Sequence, residues 1–300
     1  MPIFALTSPA VTSRLCPVRV SAYTAVSALG AGKPAHLDAV IHGRSGLSPL
    51  GRHDFGVAPL AQTLDTWVGQ VQGLEVPLPD PWRHWDCSNN RLAWRGLQSD
   101  GFMNTVRRAT ERHGAHRVGL VLGSSTASIG ATEDAYQQLA QCGEFPPQPD
   151  NPALHTLHSL TGFVQEALGL RGPAQTISTA CSSSAKAFAS AERLMRLGLA
   201  DAVVVGGVDS LCGSVVFGFH AMQLVSTEPC RPFDTRRRGI NIGETAAFAL
   251  LERAPGGLQL LGCGESSDAH HLSAPDPGGQ GTQAALDMAL SRAGLPASAI

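Results

Sequence analysis

Alternating and continuous apolar stretches divide the chain into strands separated by helical segments. Residues 18–28 alternate as a strand does, and residues 29–46 predict a turn, a helix and a second turn. A new strand and loop are predicted to begin near residue 256. Further strands are predicted over 117–125, 174–180, 201–210 and 242–253, and helices over 130–141, 153–169, 182–197 and 280–293. Strands that alternate with helices indicate a layered α/β fold.

The segment from Trp85 to Gly114 has the pattern of one long helix. Asp86 or Ser88 is the predicted N-cap, and Gly114 is the predicted stop. Four prolines and three of the four tryptophans lie in residues 50–85, which predicts irregular covering loops before this helix. A second proline-rich loop is predicted over 145–152.

Composition narrows the class of protein. The chain has 300 residues, of which 43 % are hydrophobic and 15 % charged, enough for one large domain or two moderate ones. A net charge of −2 gives no strong field that would attract nucleic acid or an acidic membrane surface. No apolar run approaches the ~20 residues of a membrane span. Residues 1–17 lack the pattern of a signal peptide and are predicted to be an N-terminal tail.

The seven cysteines are scattered, odd in number and never in CxxC spacing. This usage argues against a disulfide framework and a tetrahedral zinc site, so we expect no metal. A reducing, cytoplasmic location fits it best.

Cys181 lies where a β-branched run gives way to an alanine-rich segment, within TISTACSSSAKAFAS (176–190). Apolar residues on nearly every side predict that the following helix is buried. A thiol at its first turn lies near unpaired N–H groups that act as a partial positive charge. Such a site can lower a thiol pKa from ~8.5 into the range ~3.5–7.5, and the Cys181 N–H can face a developing oxyanion. The alternative is a small buried cysteine.

Longer motifs around Cys181 resemble the beta-ketoacyl-acyl-carrier-protein synthases, the condensing enzymes of the thiolase fold. They are TACSSSAKAFASAERLMRLGLADAVVVGGVDS, LVSTEPCRPFDTRRRGINIGETAAFALLER and GLRGPAQTISTACSSS. AVSALGAG with GRSGL comes near the start and SSDAHHLSAPDPGG late, in the family's order. The resemblance implies a thiolase-like αβαβα layered sandwich with two similar halves. Residues 18–254 would be the N-terminal half, and 255–300 the start of an incomplete C-terminal half.

The resemblance also implies the chemistry. The cysteine matching Cys181 would take an acyl chain from an acyl carrier protein as a thioester. A carbanion from decarboxylated malonyl thioester would then attack that acyl group, giving a 3-oxoacyl product in fatty-acid, polyketide or polyene synthesis. No cofactor is expected beyond the phosphopantetheine on the carrier protein. A homodimer, or a heterodimer with a ketosynthase-like chain, would pair through strand 176–180.

The family pattern assigns further residues. Asp268, His271 and Ser273 would border the pantetheine entrance, where Ser273 replaces a common threonine. Glu244 would hold the loop network. An Arg-Asp-Gly-Phe pattern of relatives is replaced here by residues 237–240, RRGI. Several arginines are candidates for docking an acidic carrier protein, although each could be an ordinary solvated charge: Arg91, Arg95, Arg107, Arg108, Arg236, Arg237 and Arg238.

Two expected motifs do not occur. The family's decarboxylating histidines lie in HGTGT-like and N-x-K-x-x-x-G-H-like segments, and none of the eleven histidines is followed by Gly-Thr. His270 and His271 fit the entrance loop better than a substitute pair. We therefore expect about a hundred residues of the duplicated fold to be absent. Sheet edges and an apolar helix face would then be open, and condensation by this chain alone would be incomplete.

Other functions stay open from the sequence. A non-catalytic partner subunit, like the chain-length factors that pair with ketosynthases, usually lacks the nucleophile, so Cys181 argues against it. An inactive fragment is a related possibility. A thiolase carries its cysteine in a different local sequence. A cysteine hydrolase would need a histidine that the fold brings to Cys181, and the pattern offers none.

Overall fold

The computed structural model describes residues 18–51, 64–146, 151–271 and 274–300. A seven-stranded sheet forms its centre. Its six-strand path runs β10 (Gln259–Leu260), β1 (Val18–Ser27), β9 (Thr245–Arg253), β7 (Ala202–Asp209), β5 (Val118–Gly123) and β6 (Ala174–Ile177), and β2 (Gly30–Ala31) pairs with β1 alone. The β5, β6 and β7 strands are parallel, whereas β9 is antiparallel to both β7 and β1. The β6 strand therefore lies at one edge.

Eight α-helices accompany the sheet in the described residues. They are α1 (Gly32–Ile41), α2 (Ser88–Gln98), α3 (Phe102–His113), α4 (Ile129–Cys142), α5 (His158–Ala167), α6 (Ser183–Arg196), α7 (Gly213–Ala221) and α8 (Gln280–Ala293). A small second sheet has the order β3 (Leu47–Pro49), β4 (Trp67–Gly69) and β8 (Ile242–Gly243).

Side-chain alternation along the buried strands builds two apolar layers. Leu120 and Leu122 of β5 face the cluster that α2, α3 and α5 complete, whereas Val121 faces the cluster of α6. All three side chains are fully buried. Because successive residues of a strand point to opposite faces, a continuous apolar strand is covered on both sides. The result is the α/β/α layering that the sequence predicts.

The predicted helix over 85–114 is wrong as a single element. A 3-10 turn over Ser99–Gly101 separates α2 from α3, and Asp100 adopts a left-handed φ of 53°. The Asp100 carboxylate accepts hydrogen bonds from the N–H of Lys33, at 3.0 and 3.2 Å, in the first turn of α1. This long-range contact competes with helix continuation. Cys87, and neither Asp86 nor Ser88, occupies the N-cap position, and Gly114 ends α3 as predicted.

Two other predicted elements are shorter than expected. Strand 174–180 ends at Ile177, and the remaining residues form a turn. Helix 153–169 divides into a 3-10 turn over Pro152–His155 and α5, with Thr156 Oγ accepting from the His158 N–H at 3.2 Å between them.

Strand 242–253 divides at Glu244, because β8 pairs with β4 in the small sheet and β9 pairs in the large one. Glu244 therefore lies at the junction of the two sheets.

Most buried residues of α6 face the sheet, although Ala189 on the opposite side is buried too, so the expectation of burial on nearly every side is met only in part. Ala187, Ala191 and Leu194 pack on the sheet. Ser184 and Ala185 are exposed, and Lys186 and Arg193 are partly exposed. The alanines that suggested all-round burial are small enough to lie on either face.

Candidate functional site

Cys181 lies in a tight turn between the edge strand β6 and helix α6. Its side chain is exposed, so the alternative of a small buried cysteine is excluded. The preceding Ala180 has φ of 54°, a left-handed conformation that costs a residue with a Cβ of order 1–3 kcal/mol. Such strain persists only where surrounding contacts hold the backbone.

Serines next to Cys181 supply those contacts. Ser183 Oγ donates to the Ala180 carbonyl at 2.6 Å and accepts from the Thr179 N–H at 2.9 Å. Ser182 Oγ donates to the Thr179 carbonyl at 2.9 Å. The buried Ser183 therefore links the first residue of α6 to the two residues that precede Cys181. The serine run gave a visible signal in the sequence, although its role in the turn was not predicted.

Two glycines near the ends of neighbouring strands let α6 approach the sheet. A Cβ on Gly123, at the end of β5, would lie 2.4 Å from both the Ser183 carbonyl carbon and the Ser184 nitrogen. A Cβ on Gly207, in the neighbouring β7, would lie 2.7 Å from Ser184 Cβ. Both distances are shorter than real Cβ contacts, so only glycine fits. Sequence reasoning missed these residues, for which the signal was a glycine near the end of each apolar strand.

Burial distinguishes Cys181 from two other cysteines at helix starts. Cys87 and Cys212 occupy the N-cap positions of α2 and α7. Both are buried, and burial raises the pKa of each thiol to about 11. A helix start is therefore insufficient to make a reactive thiol. Cys181 lies directly before Ser182, the N-cap of α6, and therefore just outside the first turn that the sequence predicted for it. Unlike Cys87 and Cys212, it is exposed to solvent at the positive end of its helix.

Glu244 joins two loops beneath this end of the sheet. Its Oε1 accepts from the Val71 N–H at 2.8 Å, and its Oε2 accepts from the Leu211 N–H at 2.9 Å. Burial raises the pKa of this carboxyl, although the two N–H donors oppose the rise. The contacts fit a structural role better than proton transfer, because both oxygens accept backbone hydrogen bonds.

The segment after β7 is bound by two further side chains. Asn89 Oδ1 accepts from the Ser210 N–H at 2.9 Å, and the Glu133 carboxylate accepts from the N–H groups of Gly213 and Ser214 at 2.9 and 2.7 Å. A cavity of about 350 Å³ adjoins this network. Its lining includes Glu244, Cys212, Glu133 and Arg91, but not Cys181.

The candidate docking arginines fall into two groups. Arg91 donates to the Asp86 carboxylate at 2.8 and 2.6 Å and to the Leu74 carbonyl at 3.0 Å, so its guanidinium is committed within the fold. Arg95 is partly buried. Arg236 and Arg237 are exposed, and both are anchored to Asp234. Arg107, Arg108 and Arg238 are exposed as well, so these three and the second group have the exposure that docking requires.

The predicted entrance residues are partly described. Asp268 accepts from the Asp276 N–H at 2.9 Å and packs so close to Gly281 that a Cβ there would overlap its carboxylate. His271 Nδ1 accepts from the Ala274 N–H at 3.1 Å. Ser273 lies outside the described residues. Asp268 thus shapes its own loop and the start of α8.

Two other kinds of site are absent from the described residues. Histidine, cysteine and acidic side chains form no group of three or more that could hold a metal ion. No described helix combines the length and hydropathy needed to cross a bilayer.

Comparison with known proteins identifies relatives. Residues 87–255 match the family model of the beta-ketoacyl synthase N-terminal domain. A 3-oxoacyl-[acyl-carrier-protein] synthase 2 from Rhizobium meliloti (strain 1021) is 34 % identical over 198 residues, covering 61 % of this chain and 47 % of the relative. Nodulation protein E from Rhizobium sp. (strain N33) is 33 % identical over 194 residues, covering 62 % and 48 %. The matched regions span about half the length of these relatives.

Solved structures agree on the fold. A ketosynthase in complex with its chain length factor, from Xenorhabdus doucetiae, matches with a TM-score of 0.85 and 32 % identity. The match covers 96 % of this chain and 71 % of that one. The ishigamide ketosynthase/chain length factor matches with a TM-score of 0.79 at 22 % identity over 95 % and 71 % of the two chains, which supports the fold alone. The expected thiolase-like ketosynthase fold is therefore confirmed.

Proposed function

The chain belongs to the beta-ketoacyl synthase family, and we propose that Cys181 is the residue on which it accepts an acyl group. The observation that most directly supports this proposal is that Cys181 is exposed, in a strained turn before α6 that a serine hydrogen bond stabilises. The donor class is an acyl thioester of phosphopantetheine on an acyl carrier protein. This function rests on the family and on the position of the thiol together.

The acyl transfer needs few groups from the chain. Cys181 Sγ, as thiolate, attacks the thioester carbonyl carbon, and a new C–S bond forms. The bond to the pantetheine sulfur breaks, and that sulfur leaves as a thiolate that takes a proton from solvent. The positive end of α6 favours the attacking sulfur anion, and backbone N–H groups of the turn are suited to the oxyanion.

We propose that the complete reaction also includes a condensing step, in which the acyl group on Cys181 is the electrophile. Decarboxylation of a malonyl thioester would supply the attacking carbanion, and the product would be a 3-oxoacyl thioester. The HGTGT-like and N-x-K-x-x-x-G-H-like histidine motifs of the family do not occur in these 300 residues. We therefore assign the acyl-transfer half-reaction to the residues in hand.

Two partners follow from this proposal. Among the described residues β6 pairs with β5 alone, so its outer edge is the proposed contact for a second chain of the same fold, either a copy or a ketosynthase-like subunit. The exposed Arg236 and Arg237 are the proposed contact for an acidic carrier protein. Asp268, His271 and Ser273 are the proposed rim of the pantetheine entrance.

A second candidate function is that of a partner subunit with no condensing activity of its own. It is favoured by the solved relative that contains a ketosynthase together with its chain length factor. Such a subunit would not need an acylated cysteine. The two functions therefore differ in what happens at Cys181.

The deciding experiment measures acylation of the full chain by intact mass spectrometry. The donor is an acyl carrier protein that carries an acyl thioester, and the variants are Cys181→Ser and Cys142→Ser. Cys142 is a matched control, because it is also exposed but is the last residue of α4, at the negative end of a helix. We expect acylation of wild type and Cys142→Ser and none of Cys181→Ser. An unacylated wild type, with Cys181 no more readily alkylated than Cys142, would favour the partner subunit.

A further inference from the structure

Glu265 links the segment after β10 to α6, the helix that follows Cys181. Its Oε1 lies 2.5 Å from Lys186 Nζ, and its Oε2 lies 2.8 Å from Arg193 Nη1. Lys186 and Arg193 are seven residues apart on α6, so they occupy the same face two turns from each other. One carboxylate therefore spans two turns of the helix that follows Cys181.

The same segment contacts α8 on its other side. A Cβ on Gly262 would lie 2.5 Å from the Ala289 carbonyl oxygen, and one on Gly264 would lie 1.8 Å from that of Ala285. Ser266 Oγ donates to the Gly281 carbonyl at 2.6 Å. Even-numbered residues thus face α8 and Glu265 faces α6, the alternation of an extended chain. Residues 262–266 lie between the two helices.

Charge favours this arrangement. Lys186, and then Arg193, holds the pKa of the Glu265 carboxyl below its usual range. The cluster has two cations for one carboxylate, and all three side chains are only partly exposed. Removing the negative charge of Glu265 would leave Lys186 and Arg193 as two neighbouring positive charges on α6. Residues 263–266 would then lose the two ion pairs that hold them to this helix.

We infer that Glu265 is a positioning residue that fixes the described part of the predicted pantetheine entrance, the loop that carries Asp268, relative to Cys181. It acts through Lys186 and Arg193, which anchor it to α6, and through the chain that leads three residues on to Asp268. It does not contact the acyl group. This inference rests on the proposed function for its catalytic consequence. The ionic contact of Glu265 with Lys186 and Arg193 (the tie) can be tested without any substrate.

The first measurement is hydrogen exchange of the full chain in wild type, Glu265→Gln and Glu192→Gln. Glu192 is the matched control, since it lies on α6 and pairs with Arg196 at 3.8 Å. We expect exchange in residues 261–271 to be about ten-fold faster in Glu265→Gln, the loss expected for charged hydrogen bonds. Unchanged exchange in Glu265→Gln, or an equal rise in Glu192→Gln, would overturn the tie.

The second measurement separates positioning from general destabilisation. Single-turnover acyl transfer from carrier protein is measured in Glu265→Gln against donor concentration. We expect the half-saturating concentration to rise about five-fold, with the maximal rate and the alkylation of Cys181 by iodoacetamide within about two-fold of wild type. The double variant K186E/E265K should recover part of the loss. Equal falls in maximal rate and alkylation, without recovery, would overturn the positioning role.

The two measurements fail independently. A wild type that is never acylated contradicts the proposed function, and exchange alone then decides whether the tie exists. A wild type that is acylated, with a Glu265→Gln variant that binds donor equally well, contradicts the positioning role and leaves the proposed function intact.

Discussion

Helices α6 and α8 have fourteen residues each but are held in different ways. The α6 helix buries seven of them, mostly apolar residues against the sheet, whereas α8 buries only Gly281. Leu286 of α8 is 55 % exposed, and Ile300 at the end of the adjoining segment is 91 % exposed. The central sheet with α6 is thus stabilised by apolar burial. The carboxyl-terminal unit, which comprises the described residues after β10 (261–271 and 274–300), is held by close backbone contacts and by Glu265.

The difference shows that close backbone approach and stability are separate properties. Gly123 brings α6 to β5, and Gly264 brings α8 to its neighbouring segment, with similarly short contacts. Only the first contact has a fully buried apolar layer behind it. Regions with few buried apolar contacts open locally at lower free energy than the core does. We therefore expect damage at Gly123 to be global and damage at Gly264 to be local.

The largest expected effect is that of Gly123→Ala. The new methyl group would overlap the backbone at Ser183 and Ser184, so α6 must move away from a packed sheet. We expect a loss of about 3 kcal/mol or more in the free energy of unfolding, measured by urea denaturation. The turn that holds Cys181 should move with it, and acylation should fall.

Gly130→Ala is the matched control for that variant. Its Cβ would meet only Cys212 Cβ at 3.7 Å, an ordinary contact within a helix. We expect it to be neutral or slightly stabilising. Equal stability of the two alanine variants would show that α6 does not depend on close approach to β5.

Gly264→Ala tests the carboxyl-terminal unit. Its methyl group would overlap the Ala285 carbonyl oxygen, so α8 must separate from residues 262–264. We expect hydrogen-exchange protection across 280–293 to fall by about 1–3 kcal/mol. Protection of the central strands should stay unchanged.

A helix glycine with open space around it, Gly218, provides the control for this second variant. Gly218→Ala should leave exchange in α8 as in wild type. Loss of protection throughout the sheet in Gly264→Ala would mean that the two regions unfold together, and the comparison would fail.

Sequence pattern predicted the layered fold because its central strands are apolar over their whole length. Val118–Gly123 and Ala202–Asp209 match their predicted positions to within two residues. The break between α2 and α3 was not predictable, because Asp100 is drawn out of helical geometry by Lys33, far away in the sequence. Local periodicity carries no information on such a contact.

The site was predictable in part for the same reason. The position of Cys181 between strand and helix follows from the local pattern. Gly123, Gly207 and Glu265 contact α6 from distant parts of the chain, so no sequence spacing reveals these contacts. Arg91 was a docking candidate by charge alone, and its hydrogen bonding to Asp86 is evident only from the structure.

Acid stability gives a smaller test, confined to the central region. Burial alone would raise the pKa of Asp86, but hydrogen bonds from Arg91 and the Leu78 N–H outweigh it and hold the pKa below 3.8. A lowered folded-state pKa means that this stabilisation is complete above the unfolded value and is lost as pH falls through the folded one. Asp86→Asn should cost about 1.5–3 kcal/mol near neutral pH.

The difference between wild type and Asp86→Asn should narrow as the pH falls below about 4. Denaturation at several pH values measures it. A constant difference at all pH values would show that the Asp86 charge does not contribute. A difference that widens toward acid would contradict the direction of the pKa shift.

The smallest expected effect separates charges that build the fold from charges that meet a partner. Arg91 is 24 % exposed and paired in the core region, whereas Arg236 is 75 % exposed. Arg91→Ala should lower the melting temperature, because it leaves the Asp86 carboxylate without its partner. The double variant R236A/R237A should leave the melting temperature unchanged and raise the KM for acyl-carrier protein about two- to four-fold. Added salt should erase that KM difference, because it screens exposed charges. Equal KM values at low salt would place the carrier protein elsewhere on the chain, and a difference that survives high salt would show that the two arginines do not act through their charge.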